Sequence, residues 1–248
     1  MKRLIVILLL LTAVLPAAPV EVLLAATETE LQPLLARLVD PHTEKHAAWQ
    51  FWTGTLDGKV VALTRTEGDP LNAVAATTLA IRRYAPKLVV TFGAARAHDP
   101  ALRPGDVVVS GSFAAFDGMI SAHRDLNGGT APLQWKILPH AIMTPGEQEK
   151  YLPAFPAYEP ALAVAQKLTG ARGRVVTGVL GSANQVNHEP DRIATLRTQW
   201  GTSCEDPESA HIAGCALLLG VPVIGVRVID GTDAEAAALV TQLLGGLK

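Results

Sequence analysis

The chain has 248 residues, 49% hydrophobic and 18% charged, with a net charge of −2. Those proportions exclude a disordered chain, which needs low hydrophobicity and high net charge, and provide no basic field for nucleic acid or an anionic membrane. Two cysteines, Cys204 and Cys215, are too few for a disulfide scaffold, and no Cys/His cluster has metal-ligand spacing, so neither metal nor cofactor is expected.

Met1-Lys2-Arg3 is a basic head, residues 4–15 are apolar apart from Thr12, and Pro16-Ala17-Ala18-Pro19 offers small residues for cleavage. The pattern reads as a secretion signal over residues 1–18, too short to span a bilayer. It predicts a secreted or periplasmic protein, with no stable membrane insertion after cleavage and one domain over 19–248. A buried first strand is the competing reading. Residues 20–26 predict a strand, and 28–39 a helix with Leu31, Leu34, Leu35 and Leu38 on one face. A short strand follows at 60–64. The alanine-rich segment 71–84 predicts a packed helix that stops before Pro86. Leu88-Val89-Val90-Thr91-Phe92, closed by Gly93, is the clearest buried strand, and another covers 106–110. Residues 118–160 are rich in Pro, Gly and His and predict a long irregular excursion. Helices are expected at 161–168, 191–199, 208–219 and 234–244, and strands at 175–180 and 221–229. Strands alternating with helices, without repeat or linker, predict one layered α/β domain.

Four segments carry a resemblance. They are Lys87-Leu88-Val89-Val90-Thr91-Phe92-Gly93-Ala94-Ala95, Leu102-Arg103-Pro104-Gly105-Asp106-Val107-Val108-Val109-Ser110, Glu205-Asp206-Pro207-Glu208-Ser209-Ala210, and Val221-Pro222-Val223-Ile224-Gly225-Val226-Arg227-Val228-Ile229-Asp230. In this order and spacing they resemble the nucleoside phosphorylases and nucleosidases, nearest the methylthioadenosine/S-adenosylhomocysteine nucleosidases. The resemblance implies a single-domain three-layer αβα sandwich around a mixed β-sheet. It implies hydrolysis of the N-ribosidic bond of a purine nucleoside, methylthioadenosine/S-adenosylhomocysteine-like, with release of free base. A phosphorolytic purine nucleoside phosphorylase and a catalytically silent secreted relative that binds or stores nucleosides are the alternatives. A homo-oligomer is also implied, and Phe113, Phe116, Trp135 and Tyr151, in or beside the excursion, offer apolar contact surface.

Cleaving an N-ribosidic bond requires a cationic sugar to be stabilised, the departing base protonated and a nucleophile brought to the anomeric carbon. By the resemblance, Glu30 activates water from a helix start whose dipole favours its ionised form, although Glu28 is an ordinary first-turn acid of the same kind. Arg227 helps to hold that water. Glu208 accepts hydrogen bonds from the ribose hydroxyls, Asp206 fills the first acidic position of the same signature, and Pro207 replaces a methionine. Asp230 is the candidate acid for the purine, with Asp233 as the alternative and a plain Asp-Gly-Thr-Asp turn as the bland reading. Desolvation at a buried strand end would raise the carboxyl's pKa as an acid requires. The base pocket is expected to use Ala94, Val186 and Asn187, with Asn184 and Gln185 as further amides. Val186 replaces an aromatic residue and Arg96 a glycine. The chemistry-bearing residues are expected to converge at the carboxyl ends of the strands. The seven histidines are scattered and read as surface or core residues.

Overall fold

The structure, a computed structural model, describes residues 20–146 and 149–247. The secretion-signal reading therefore lies outside the described residues. No described helix is long and apolar enough to cross a membrane.

In chain order the elements are β1 (Val20–Ala25), α1 (Glu28–Leu35), β2 (Val39–His46), β3 (Trp49–Leu56), β4 (Lys59–Arg65), α2 (Pro70–Tyr84), β5 (Leu88–Ala97) and β6 (Val107–Ala115). Short pieces follow: β7 (Met119–Ile120), a 3₁₀ turn (Pro132–Gln134), β8 (Lys136–Ile137), β9 (His140–Ile142), β10 (Lys150–Leu152) and β11 (Phe155–Pro156). The rest comprises α3 (Glu159–Ala165), β12 (Val175–Ser182), α4 (Pro190–Trp200), β13 (Thr202–Asp206), α5 (Ser209–Leu218), β14 (Val223–Ile229) and α6 (Asp233–Gly246).

The central sheet is mixed. β1 runs parallel to both β4 and β5, β4 pairs antiparallel with β3, and β3 with β2. On the other side β14 lies parallel to β5 and antiparallel to β6, β6 pairs with β12, β12 with β13, and β13 returns antiparallel to β5. Strands β5, β14, β6, β12 and β13 thus close into a circuit, β1, β4, β3 and β2 form an open arm, β11 pairs with β6, and β7–β8 and β9–β10 are separate two-stranded sheets. Helices α2 and α5 pack together on one side, while α6 packs with α1 and α3 on the other. This is the expected αβα arrangement. Leu88, Val89, Val90 and Phe92 of β5 are buried, as are Val22, Leu23 and Leu24 of β1, so the apolar runs face helices on both sides.

The differences from expectation have local causes. α1 stops at Leu35 rather than 39, and Pro33, which has no backbone N–H to donate, sits in its last turn. β2 and β3 escaped notice because β2 reads Val-Asp-Pro-His-Thr-Glu-Lys-His and lies mostly exposed at the sheet edge. Its charges suit an edge strand but hide the period-2 pattern. β5 does not turn at Gly93 but runs on to Ala97, and β13 inserts a strand where only a helix start was expected. Phe113 and Phe116 are fully buried, so they belong to the core and not to a contact surface.

Candidate active site

Glu30, Glu208 and Arg227 come together around Gly93 of β5. Thr27 caps α1: its Oγ1 accepts from Glu30 N at 3.3 Å, and Glu30 Oε2 accepts from Thr27 N at 3.0 Å. This reciprocal box fixes the carboxylate at the end of β1. Its other oxygen faces Gly93, where a Cβ would lie 2.8 Å from Glu30 Oε1 and 3.1 Å from Arg227 Nη1. Gly93 also has φ +147, so backbone and space both require glycine. A carboxylate oxygen and a guanidinium nitrogen therefore face each other across a space that one small group fills.

Arg227 is 2% exposed and lies within an otherwise apolar strand. Its Nη2 donates to Ser209 Oγ at 2.7 Å, Thr91 Oγ1 at 2.9 Å and Asp206 Oδ1 at 3.3 Å, and its Nε lies 3.1 Å from Asp206 Oδ2. Asp206 Oδ1 also accepts from Glu208 N at 2.9 Å and Ser209 N at 2.7 Å. Burial would raise the Asp206 pKa, but the Arg227 charge and these hydrogen bonds outweigh it and hold the carboxyl below its ordinary value. Burial would likewise discharge Arg227, and the Asp206 and Glu208 charges keep it protonated. Asp206 was expected to bind substrate. Its carboxylate meets Arg227 and the start of α5, so it positions the guanidinium.

Glu208 is the N-cap of α5 and 1% exposed. Pro207 thus precedes the cap and is not the first helical residue. Glu208 Oε2 accepts from Thr66 Oγ1, while Oε1 lies 3.7 Å from Arg227 Nη2 and makes no hydrogen bond among the described residues. Burial pushes its pKa up to about 7 against the pull of Arg227 and Thr66, with Asp206 and Glu30 adding to the rise. A buried carboxylate oxygen without a donor is costly, and a hydroxyl-bearing ligand would satisfy it.

A cavity of about 520 Å³ opens beside these residues, between β5, β13, β14 and the loop after β12. Ala94, Val186, Asp206 and Asp230 line it, together with Arg96 and the amides of Asn184 and Gln185. Asp230 follows β14 in a left-handed conformation (φ 43), with its N–H donating to Ala95 O at 3.0 Å. Its side chain is exposed, so the burial expected at that strand end is not there. Asp233 opens α6 and is not among the residues that line the cavity. Asn187 was expected to meet the base. Its N and Nδ2 donate to Glu205 Oε1 and Oε2 at 3.1 and 2.6 Å, and it is not among the residues that line the cavity.

Sequence reasoning missed four contributors. Glu205 lines the cavity, and its Oε2 lies 3.0 Å from His98 Nε2. His98 is buried and reaches Thr202 Oγ1 at 2.7 Å through Nδ1. Burial would raise the Glu205 pKa, but His98 and Asn187 hold it below its ordinary value. Thr66 faces Glu208 from the end of β4, and His188 touches Arg96. Glu205 stands next to the acidic signature, which was a usable signal. His98 gave none, because its pairing depends on β13.

The sequence and the fold have known parallels. A family model described as Phosphorylase superfamily matches residues 22–243. A 5′-methylthioadenosine/S-adenosylhomocysteine nucleosidase of Tolumonas auensis is 29% identical over 218 residues, 86% of this chain and 88% of that protein. One from Geobacillus thermodenitrificans is 26% identical over 214 residues, 86% and 84% of the two chains. A crystal structure of the Colwellia psychrerythraea nucleosidase of that name, in complex with adenine, shares the fold at TM-score 0.76 and 24% identity, covering 93% of this chain and 96% of that one. With its fold and nine-tenths of its length accounted for in this way, the chain belongs to the phosphorylase superfamily.

Proposed function

We propose that this protein is an N-glycosyl hydrolase that cleaves the N-ribosidic bond of a purine ribonucleoside, the class to which methylthioadenosine and S-adenosylhomocysteine belong. The observation that carries this reading is the convergence of Glu30 Oε1 and Arg227 Nη1 on Gly93, beside a Glu208 oxygen that makes no hydrogen bond among the described residues. Water held between the first two is aimed at an anomeric carbon when the ribose hydroxyls donate to Glu208. As the bond between that carbon and the base nitrogen breaks, its electron pair leaves with the base. The water oxygen bonds to the carbon, and its proton passes to Glu30. The ionised Glu208 and Glu30 stabilise the positive charge that builds on the sugar. Asp230, which lines the cavity with its side chain exposed, relays a proton from solvent to the departed base, and Glu30 gives the proton it took from water back to solvent.

The arginines favour water over phosphate as nucleophile. A phosphate needs cations that are free to meet it. Arg65 is held by Glu28 at 3.2 Å and Glu67 at 2.6 Å, and Arg227 is enclosed by Asp206, Ser209 and Thr91. Among the described residues Arg96 is the free cation of the cavity wall, but it stands three residues beyond Gly93 on β5, about 10 Å along the strand from the Glu30–Arg227 gap. The names of the relatives support the same reaction. The test is chromatographic detection of free base and free ribose from a panel of purine nucleosides, with Glu30→Gln as the control. Base release by the wild type that Glu30→Gln abolishes is the expected result. Equal rates from both proteins, or no release from any nucleoside, would contradict the proposal.

A further inference from the structure

The base end of the cavity carries an unusual charge pattern. Three neighbouring strands present Glu205 (β13), Arg96 (β5) and Asp230 (after β14), with Glu205 and Arg96 paired in register. Both oxygens of Glu205 are engaged by other partners, Asn187 N, Asn187 Nδ2 and His98 Nε2. Arg96 is exposed to the cavity and makes no ion pair among the described residues. Its Nη1 contacts the His188 ring, whose nitrogens lie at 3.2 and 3.3 Å, and its remaining N–H groups have no protein acceptor among the described residues. An arginine with carboxylates on both neighbouring strands that bridges neither is poised for an acceptor from outside.

A guanidinium has only donors, in a fixed planar fork. On a purine, that fork matches a carbonyl oxygen beside a ring nitrogen, the O6 and N7 edge of a 6-oxopurine. It cannot pair with the exocyclic amino group of adenine, which is itself a donor. The amides of Asn184 and Gln185 can turn either way and discriminate neither base. We infer that Arg96 selects a 6-oxopurine nucleoside, of the inosine or guanosine kind, and binds the O6/N7 edge of its base. This rests on the nucleoside-hydrolase reading above and assigns the base. The same contact serves the chemistry. When the bond to the anomeric carbon breaks, the electron pair delocalises over the oxopurine ring onto O6 and N7, where the guanidinium stabilises it until a proton arrives.

The experiment compares kcat/KM for inosine and guanosine with that for adenosine and methylthioadenosine, in wild type and in Arg96→Gln. Calorimetric titration of hypoxanthine and adenine accompanies it. Arg96 is exposed, so the variant is expected to keep the wild-type melting temperature. A bidentate contact of this kind favours the right base by ~10- to 100-fold. The wild type is expected to prefer the 6-oxopurines by that factor in both readouts, and Arg96→Gln to remove or reverse the preference, since glutamine pairs with adenine. A wild-type preference for adenine, or a preference that Arg96→Gln leaves unchanged, would overturn the assignment while hydrolysis itself stands. No turnover of any nucleoside and no binding of either base would overturn both.

Discussion

At the scale of single residues, the site depends on charges that are buried but differently compensated. Asp206 and Arg227 neutralise each other, whereas Glu208 keeps one oxygen unpaired and its pKa is pushed up to about 7. A carboxyl raised in the folded state stabilises the fold below its unfolded pKa, and that contribution is lost as pH rises through about 7. The ionised form is the one that accepts ribose hydroxyls, so kcat/KM is expected to rise with pH to a plateau, with an apparent pKa near 7 in the free enzyme. Glu208→Gln should raise KM and abolish that limb, and a pH-independent wild-type kcat/KM between 5 and 9 would count against the assignment (~2 units either side of the expected pKa). Glu30→Gln is expected to lower kcat by ~10²–10⁴-fold with little effect on KM, measured by base release. Asp206→Asn leaves Arg227 buried with only Glu208, at 3.7 Å, as counter-charge and should cost about 3–5 kcal/mol of stability, read as a lower denaturant midpoint. The acidic signature and Arg227 were legible in the sequence. The roles of Asp206 and Asn187 were not, because which way a polar side chain turns depends on partners that lie far along the chain.

At the scale of elements, β5 organises the site. Its apolar first half was plain in the sequence, and the continuation through Gly93 to Ala97 was not, since glycine followed by small residues reads as a turn. That continuation brings Ala94 and Arg96 to the cavity and creates the edge on which β13 pairs. β13 itself, Thr-Ser-Cys-Glu-Asp, is short and polar and owes its existence to β12 and β5 on either side. Gly93→Ala tests this element directly. A methyl group there meets Glu30 Oε1 at 2.8 Å and Arg227 Nη1 at 3.1 Å in a backbone conformation that side chains avoid. The expected outcome is a loss of ~1–3 kcal/mol of stability and of nearly all activity. Wild-type turnover by this variant would mean that the space at Gly93 is not where the nucleophile sits. The stretch Arg103-Pro104-Gly105-Asp106, part of the second resembling segment, has a different job. Asp106 accepts from Arg103 N at 2.9 Å and Arg174 N at 3.0 Å, and Gly105 N donates to Ile229 O at 2.8 Å, so it ties β6, β12 and β14 together away from the chemistry.

At the scale of the whole molecule, the alternation of apolar strands and helices made the layered fold legible, while the polar hairpin β2–β3 and the closure of β13 onto β5 came only from the three-dimensional pairing. Two properties of the intact protein are proposals. Export follows from the basic head and apolar run of residues 1–18, and N-terminal sequencing of protein from its native host is expected to find a start near Pro19, not Met1. Self-association draws on apolar side chains left at the surface, Leu126 (93% exposed), Leu71 (81%) and Tyr151 (66%) among them. Light scattering at micromolar concentration is expected to give a multiple of the chain mass, and a monomer would contradict this. The central claim is that Glu30 delivers water, and not phosphate, to the anomeric carbon. It is tested most directly by turning over a purine nucleoside in ¹⁸O-labelled water, with and without phosphate, and weighing the sugar product. The expected result is free ribose that carries the label at the anomeric hydroxyl at a rate independent of phosphate, whereas ribose 1-phosphate formed only when phosphate is present would contradict it.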